Sequence, residues 1–222
     1  MVLVFDLDDT LYEEKSFVYS GFDAIAEFIS SQYNIEKNAF ARELIQELQN
    51  GRGDIFDIVL KKHNLFSKEL VRKCISVYRL HKPIIKVYDD TIECLQRFID
   101  IPKYIVTDGH KIVQQNKIKA LGIEQYFSFC FISRRYGIRN EKPSPFCFQK
   151  ICKLEAVTPE SVVYIGDNPV KDFIGIKPLG FKTIRIMKGN HRSILKTPDY
   201  EAHIQINSLT ELTSLLLNKL YV

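Results

Sequence analysis

The chain opens on an unbroken apolar run, Val2-Leu3-Val4-Phe5, that gives way at once to Asp6-Leu7-Asp8-Asp9-Thr10. A short run without polar interruption predicts a strand buried on both faces, as in the middle of a parallel sheet with helices above and below. The period then changes. Between residues 16 and 33, Val18, Phe22, Ile25 and Ile29 recur every three or four positions, the signature of an amphipathic helix. Phe40, Leu44 and Leu48 predict a second helix over 38–49, ended by Gly51-Arg52-Gly53. Residues 54–65 read as a third, and a fourth starts at Ser67, a suitable N-cap, and carries Leu70, Cys74 and Val77. No strand pattern interrupts these helices, which far exceed the roughly 30 residues of a βαβ crossover. An inserted helical module is expected, returning near Pro83-Ile84-Ile85-Lys86-Val87.

From Asp89 the pattern alternates between helix and strand. Asp89-Asp90-Thr91 starts a helix through Leu95 and Phe98 that stops before Pro102, and Tyr104-Ile105-Val106 is the next strand. A helix to Leu121 has Gly122 in the place of its C-terminal cap. Phe129–Ile132, Val162–Ile165, Thr183–Ile186 and His203–Ile206 read as further strands. Pro145 suits a first helical position with Ser144 as N-cap. Asp172 opens a helix that Gly180 closes, and a last helix runs from Ser208 or Thr210 to Leu217. The expected fold class is α/β: a Rossmann-like parallel sheet core over 1–12 and 88–222, with an all-helical insert over 13–87.

With 222 residues and 45% hydrophobic composition, the chain can bury the core of one domain, or of a domain with an insert. No apolar stretch approaches the roughly 20 residues that span a bilayer, and no basic segment precedes a long apolar region. A soluble cytoplasmic protein is expected, with no membrane partner. Cys74, Cys94, Cys130, Cys147 and Cys152 lack CxxC spacing and lie in apolar segments, as reduced core thiols do. The net charge of +4 is modest. Its densest cluster, Lys188, His191, Arg192 and Lys196, lacks the aromatic interleaving of a nucleic-acid platform and reads as a solvated basic loop.

The candidate chemistry lies where strands end. Asp6 and Asp8 are two apart, so in extended chain their side chains point the same way, and like charges held close require a cation or a shared proton. An ordinary strand entering a polar turn has the same pattern. Later strands end in Thr107-Asp108-Gly109 and Gly166-Asp167-Asn168-Pro169, with Lys142 before one helix start and Asp172 at another. In a parallel sheet these converge on one edge, the edge where open α/β sheets bind ligands. The set suits phosphoryl transfer, which needs a nucleophile, a divalent metal on hard oxygen ligands, a proton donor and donors for phosphoryl oxygens. Taken singly, Thr107 also suits a turn cap, Lys142 a solvated loop and Asp172 a helix's first turn. Asp9 and Thr10 read as turn residues.

These residues in this order resemble the haloacid dehalogenase-like hydrolase superfamily. Its first motif, DxDx[TV], is present as Asp6-Leu7-Asp8-Asp9-Thr10; its second, third and fourth correspond to Thr107, Lys142, and Asp167 with Asp172. The helical insert resembles the family's C1-type cap. The resemblance implies Asp6 as nucleophile, Asp8 as general acid and then base, and Mg²⁺ held by Asp6, the backbone carbonyl of Asp8 and Asp167. It also implies Lys142 as the cation beside Asp6 and the phosphate, Thr107 with the Asp108 and Gly109 backbone as phosphate-binding, and Asp172 behind them, orienting Lys142 or a metal-bound water. The superfamily's dehalogenases lack the second Asp, so Asp8 favours phosphate over carbon–halogen chemistry. The motif departs locally, with Thr-Asp-Gly where many relatives have Thr-Asn-Gly.

The implied activity is a Mg²⁺-dependent phosphatase acting on a small phosphorylated metabolite, in a monomer or homodimer. A phosphomutase of the same fold and a silent phosphate- or metal-binding protein are the alternatives. A response-regulator receiver would also use carboxylates, a Thr and a Lys around Mg²⁺, but phosphorylates an Asp on a later strand and has no helical insert. Lys15, Phe17, Arg52, His110, Arg134 and Arg135 are candidates for substrate selection by position alone.

Overall fold

A computed structural model describes residues 1–221. Two compact units emerge, one formed by 1–14 and 86–221 and the other by 15–85. The first holds a six-stranded sheet of β1 (Val2–Phe5), β2 (Lys103–Thr107), β3 (Phe129–Ile132), β4 (Val162–Gly166), β5 (Lys182–Ile186) and β6 (Ile204–Ile206). Every pairing is parallel, and the spatial order is β3-β2-β1-β4-β5-β6. The order reverses direction at β1, between β2 and β4, which is the kind of switch point where α/β sheets place ligands. β1 and β4 are in register from Val2 opposite Val162 to Phe5 opposite Ile165, so Asp6 and Gly166 leave the sheet side by side.

The apolar runs of β1, β2 and β4 are buried throughout, as strands covered on both faces must be. On one face Val2, Val4, Tyr104, Val106, Val162 and Tyr164 pack with Phe148 and Ile151 of helix α7 (Phe146–Glu155) and with Phe173 and Phe181. Phe148 meets Tyr164 edge-on at 4.8 Å between ring centroids. Burying each such side chain stabilises the unit by about 1.5–3 kcal/mol. The alternate residues Leu3, Phe5, Ile105, Val163 and Ile165 are also buried and point to the other face, since successive strand side chains alternate. The chain leaves for the helical unit and returns beside its own exit: the Tyr88 N–H and Thr91 hydroxyl both donate to the Leu11 carbonyl, at 3.0 and 2.9 Å.

The helical unit contains α1 (Glu14–Gln32, its first residue in the sheet unit), α2 (Lys37–Leu48), α3 (Ile55–Lys62) and α4 (Lys68–Leu80). Val18, Phe22, Ile25 and Ile29 of α1 share a core with Phe40, Leu44, Val59, Leu70 and Cys74. The Ser67 hydroxyl accepts the Leu70 N–H at 3.0 Å, capping α4. Gly21 is required by close packing: a Cβ there would meet the Tyr78 ring at 2.5 Å. Among the described residues no helix is long and apolar enough to cross a membrane.

Four sequence expectations are corrected. The segment from Asp172 to Gly180 is a series of turns ending in a single 3₁₀ turn over Lys177–Leu179. Pro178 supplies no N–H, and Gly175 lies against the Pro143 carbonyl, so tertiary packing overrides the helical periodicity there. Pro145 itself is the N-cap of α7, with Ser144 outside it. The last helix is broken into a 3₁₀ turn over Leu209–Glu211 and α8 (Ser214–Asn218), with Leu212 extended between them. The basic loop after β5 is not merely solvated. The Lys188 ammonium lies 4.0 Å from the Tyr88 ring centroid and donates to both Asp90 oxygens at 3.0 and 3.1 Å, while His191 is bound to Asp167.

Asp90, in the first turn of α5 (Asp89–Arg97), also accepts from the Ser208 hydroxyl at 2.6 Å and the Leu209 N–H at 2.8 Å. Burial would raise its carboxyl, but these donors outweigh it and hold the group below the usual carboxylate range. Because the folded state favours the ionised form, its stabilisation is present at neutral pH and is lost as pH falls through that depressed value. Asp90→Asn is expected to lower the thermal midpoint by roughly 2–4 °C at pH 7. Thermal denaturation across pH should show this gap closing below about pH 4; a gap independent of pH would refute the role of the charge.

Candidate active site

Asp6 leaves β1 with its N–H bonded to the Ile165 carbonyl of β4 at 2.8 Å, and its carboxylate meets the Lys142 ammonium at 2.9 Å. Lys142 also contacts Asp172 at 2.9 Å and donates to the Tyr164 hydroxyl at 2.8 Å, so the ammonium is shared by two carboxylates and a phenol. All these groups are buried. The Asp172 oxygens are both engaged: Oδ1 by Lys142 and Tyr164, Oδ2 by the Asn168 N–H at 2.9 Å. Asp172 therefore holds Lys142 and the turn that follows Asp167. Gly166 has to be Gly for the same closeness, since a Cβ there would meet Asp172 Oδ2 at 2.4 Å.

Asp167 follows β4 and bonds His191 Nδ1 at 2.8 Å. His191 is brought there by Arg185, a fully buried guanidinium on β5. Arg185 donates to the Asp167 carbonyl, to both Glu201 oxygens at 2.7 and 2.9 Å, and to the His191 and Ile194 carbonyls at 2.7 and 2.9 Å. One side chain thus ties the loop after β5 to the end of β4. Asp9, read from sequence as a turn residue, joins the same loop from the other side. It sits at φ +53 and accepts the Asn190 N–H at 3.1 Å and the Glu14 N–H at 2.8 Å.

Asp8 lies in a separate network. It accepts from the Tyr12 hydroxyl, from the Lys117 ammonium at 2.7 Å and from the Gln114 carboxamide at 2.9 Å. Gln114 also donates to the Thr107 hydroxyl at 2.5 Å, which links the ends of β1 and β2. Asp108 accepts the Ser133 hydroxyl at 2.6 Å, the Lys142 N–H at 3.1 Å and the Lys171 ammonium at 3.0 Å. Gly109, at φ +122, donates its N–H to Glu141 at 3.2 Å, and Glu141 also holds Arg134 at 2.8 Å. Thus Asp6, Lys142, Asp167 and Asp172 come together directly, while Asp8, Thr107, Asp108 and Gly109 are tied in through Gln114 and the Lys142 loop.

The two carboxylates of Asp6-x-Asp8 have opposite electrostatics. Burial pushes the Asp6 carboxyl up to about 8, against the pull of Lys142. Burial acts on Asp8 in the same sense, but Lys117, by charge and hydrogen bond, together with Tyr12 and Gln114, holds it below the ordinary range. Burial also raises Asp167, to about 6, against the His191 hydrogen bond. Asp6, Asp167 and Asp172 each present an oxygen within 4.8 Å of the others, all buried. The three offer a cluster of hard oxygen donors, which fits a small divalent cation such as Mg²⁺.

Sequence reasoning missed Tyr12, Gln114, Lys117, Tyr164, Lys171, Arg185 and His191. One signal was available for two of them: Gln114 and Lys117 interrupt the buried face of α6 (Lys111–Leu121) one turn apart, among Val113, Ile118 and Leu121. Of the positional candidates, Phe17 packs on Tyr78 and His81 within the helical unit, Arg134 pairs with Glu141 and Arg135 bonds Gln115. His110 is the N-cap of α6, and Lys15 and Arg52 are exposed.

A family model described as haloacid dehalogenase-like hydrolase matches residues 1–180. The chain is 30% identical to a glyceraldehyde 3-phosphate phosphatase of Methanocaldococcus jannaschii, over 97% of this chain and 96% of that one. In fold it is similar to the magnesium-bound hydrolase YfnB of Bacillus subtilis (TM-score 0.70, 19% identity, 97% of each chain). It is also similar to a 2-haloacid dehalogenase of Pseudomonas syringae (TM-score 0.67, 19% identity, 99% of this chain and all of that one).

The loop carrying Lys142 leans on Gly175, where a Cβ would lie 1.7 Å from the Pro143 carbonyl oxygen. Gly175→Ala must push that backbone away, at an overpacking cost of about 1–3 kcal/mol. The thermal midpoint is expected to fall by roughly 3–10 °C in scanning calorimetry. An unchanged midpoint would mean that the loop yields freely and is not held in place by this contact.

Proposed function

The chain belongs to the haloacid dehalogenase-like hydrolases, and from that premise we propose that it is a Mg²⁺-dependent phosphatase acting on a small phosphorylated metabolite through a covalent intermediate on Asp6. The observation that carries this reading is the division of labour between two carboxylates two residues apart. Asp6 lies against Lys142 in a cluster of three acids, whereas Asp8 is held by donors from another helix. Different surroundings allow two neighbouring carboxylates to take different roles.

Asp6, Asp167 and the backbone carbonyl of Asp8 would hold the cation. When bound, Mg²⁺ supplies positive charge that neutralises phosphoryl oxygens and relieves the repulsion among the acids. The remaining chemistry belongs to the chain. An Asp6 oxygen forms a bond to phosphorus as the bond from phosphorus to the ester oxygen breaks, and Asp8 gives that oxygen its proton. Asp8 then takes a proton from water as the water oxygen attacks phosphorus, releasing phosphate and restoring the Asp6 carboxylate. Lys142 stays beside Asp6, kept charged by Asp172, and offers its N–H groups to phosphoryl oxygens. The Thr107 hydroxyl and the N–H groups after it are donors for the same oxygens. In this reading the helical unit over 15–85 corresponds to the family's cap.

The relative named as a glyceraldehyde 3-phosphate phosphatase makes a three-carbon phosphate the first substrate to try. Phosphate release from a panel of phosphomonoesters headed by glyceraldehyde 3-phosphate is expected with Mg²⁺ and not with chelator. Asp6→Asn should lower kcat/KM by at least about three orders of magnitude. Retention of activity by that variant would remove Asp6 as nucleophile and overturn the proposal.

A further inference from the structure

The Asp8 carboxylate accepts hydrogen bonds from three side chains. Lys117 is 4% exposed, Gln114 2% and Tyr12 fully buried, and all three direct donors at its carboxylate. Lys117 and Tyr12 meet Oδ1, while Gln114 meets Oδ2 and Thr107 in one stroke. Lys117 and Gln114 are one turn apart on α6, so a single rigid element fixes both carboxylate oxygens. An apolar residue would fill either helix position at lower cost than a buried cation or carboxamide, so packing alone does not account for them. The Asp8 side chain nevertheless keeps 23% of its surface exposed, which leaves an open approach for a reacting molecule.

We propose that Lys117 and Gln114 are positioning residues that hold the Asp8 carboxylate in the orientation that takes a proton from the attacking water, so that the second half of the reaction depends on α6. This inference rests on the phosphatase reading above. Lys117 and the Gln114 amide nitrogen are donors with no acceptor capacity. They occupy carboxylate lone pairs as donors only and fix the direction of the lone pair that remains. In the step concerned, the water oxygen bonds to phosphorus, the bond from phosphorus to the Asp6 oxygen breaks, and the water proton moves to Asp8. An Asp8 free to rotate aligns with the water only part of the time. The intermediate on Asp6 then outlives its formation.

The test uses p-nitrophenyl phosphate, whose phenolate leaves with little help from an acid, so that loss of Asp8 alignment falls on hydrolysis. Lys117→Met and Gln114→Met are compared with wild type by rapid mixing and by mass spectrometry of acid-quenched protein. Each variant is expected to give a burst of nitrophenolate close to one per active site and a phosphate adduct on Asp6, with the steady-state rate down about 10-fold or more. Lys117→Arg, which retains a donor cation, should recover part of that rate and lose the burst. A role confined to folding would shrink burst and steady state together and leave no adduct. If Lys117→Met fails to fold, Gln114→Met decides alone. Folded variants that turn over at the wild-type rate, or that slow without burst or adduct, overturn the inference while leaving the phosphatase reading intact. Wild-type turnover that survives Asp6→Asn overturns both.

Discussion

The structure of the site depends on one buried ammonium, that of Lys142, held between Asp6 and Asp172. Removing a charge of this kind from water is costly unless its partners are close and their remaining hydrogen bonds are met. Both conditions hold, and the surrounding fold is arranged to keep them. Tyr164 on β4 accepts from the ammonium, Asn168 satisfies the far oxygen of Asp172, and Gly175 allows the Lys142 loop to lie against the turns that follow. Beside the pair that holds Lys142, Asp167 brings a third carboxylate within reach of the same point.

A parallel sheet makes this possible because every strand delivers its C-terminal residues to one edge. Asp6 and Asp167 leave neighbouring strands in register, and Thr107 leaves the strand on the other side of β1. What differs is how each is then held. Asp6 is fixed by charge, Asp8 by donors from α6, and Asp167 by a loop that Arg185 fastens. Separate supports give these acids different proton affinities, which a single polar turn cannot do.

The likeness to both a hydrolase bound to magnesium and a haloacid dehalogenase shows the fold, and chemistry within the fold is set by side chains. In the proposed reading that distinction turns on Asp8. Its partners on α6, Gln114 and Lys117, lie outside the motifs that carry the family resemblance.

Much of this was legible in the sequence, for a physical reason. The apolar runs of β1, β2 and β4, the periodicity of α1–α4, and the caps at Ser67 and Gly122 follow from burial and backbone geometry within a few residues. The order of Asp6, Thr107, Lys142, Asp167 and Asp172 pointed to one sheet edge because parallel strands must end there together. Helix pattern misled over 172–180, where contact with the Pro143 backbone decides the path, and the loop after β5 looked solvated because its partners Asp90 and Asp167 are distant in sequence. Lys117 and Asp8 are 109 residues apart, and Lys188 and Asp90 are 98 apart. Local chemistry determines which segments are strand, helix or turn and which side chains are suited to a site. Which distant donor meets which acid depends on chain crossings that no neighbouring residue encodes, and only the tertiary structure decides it.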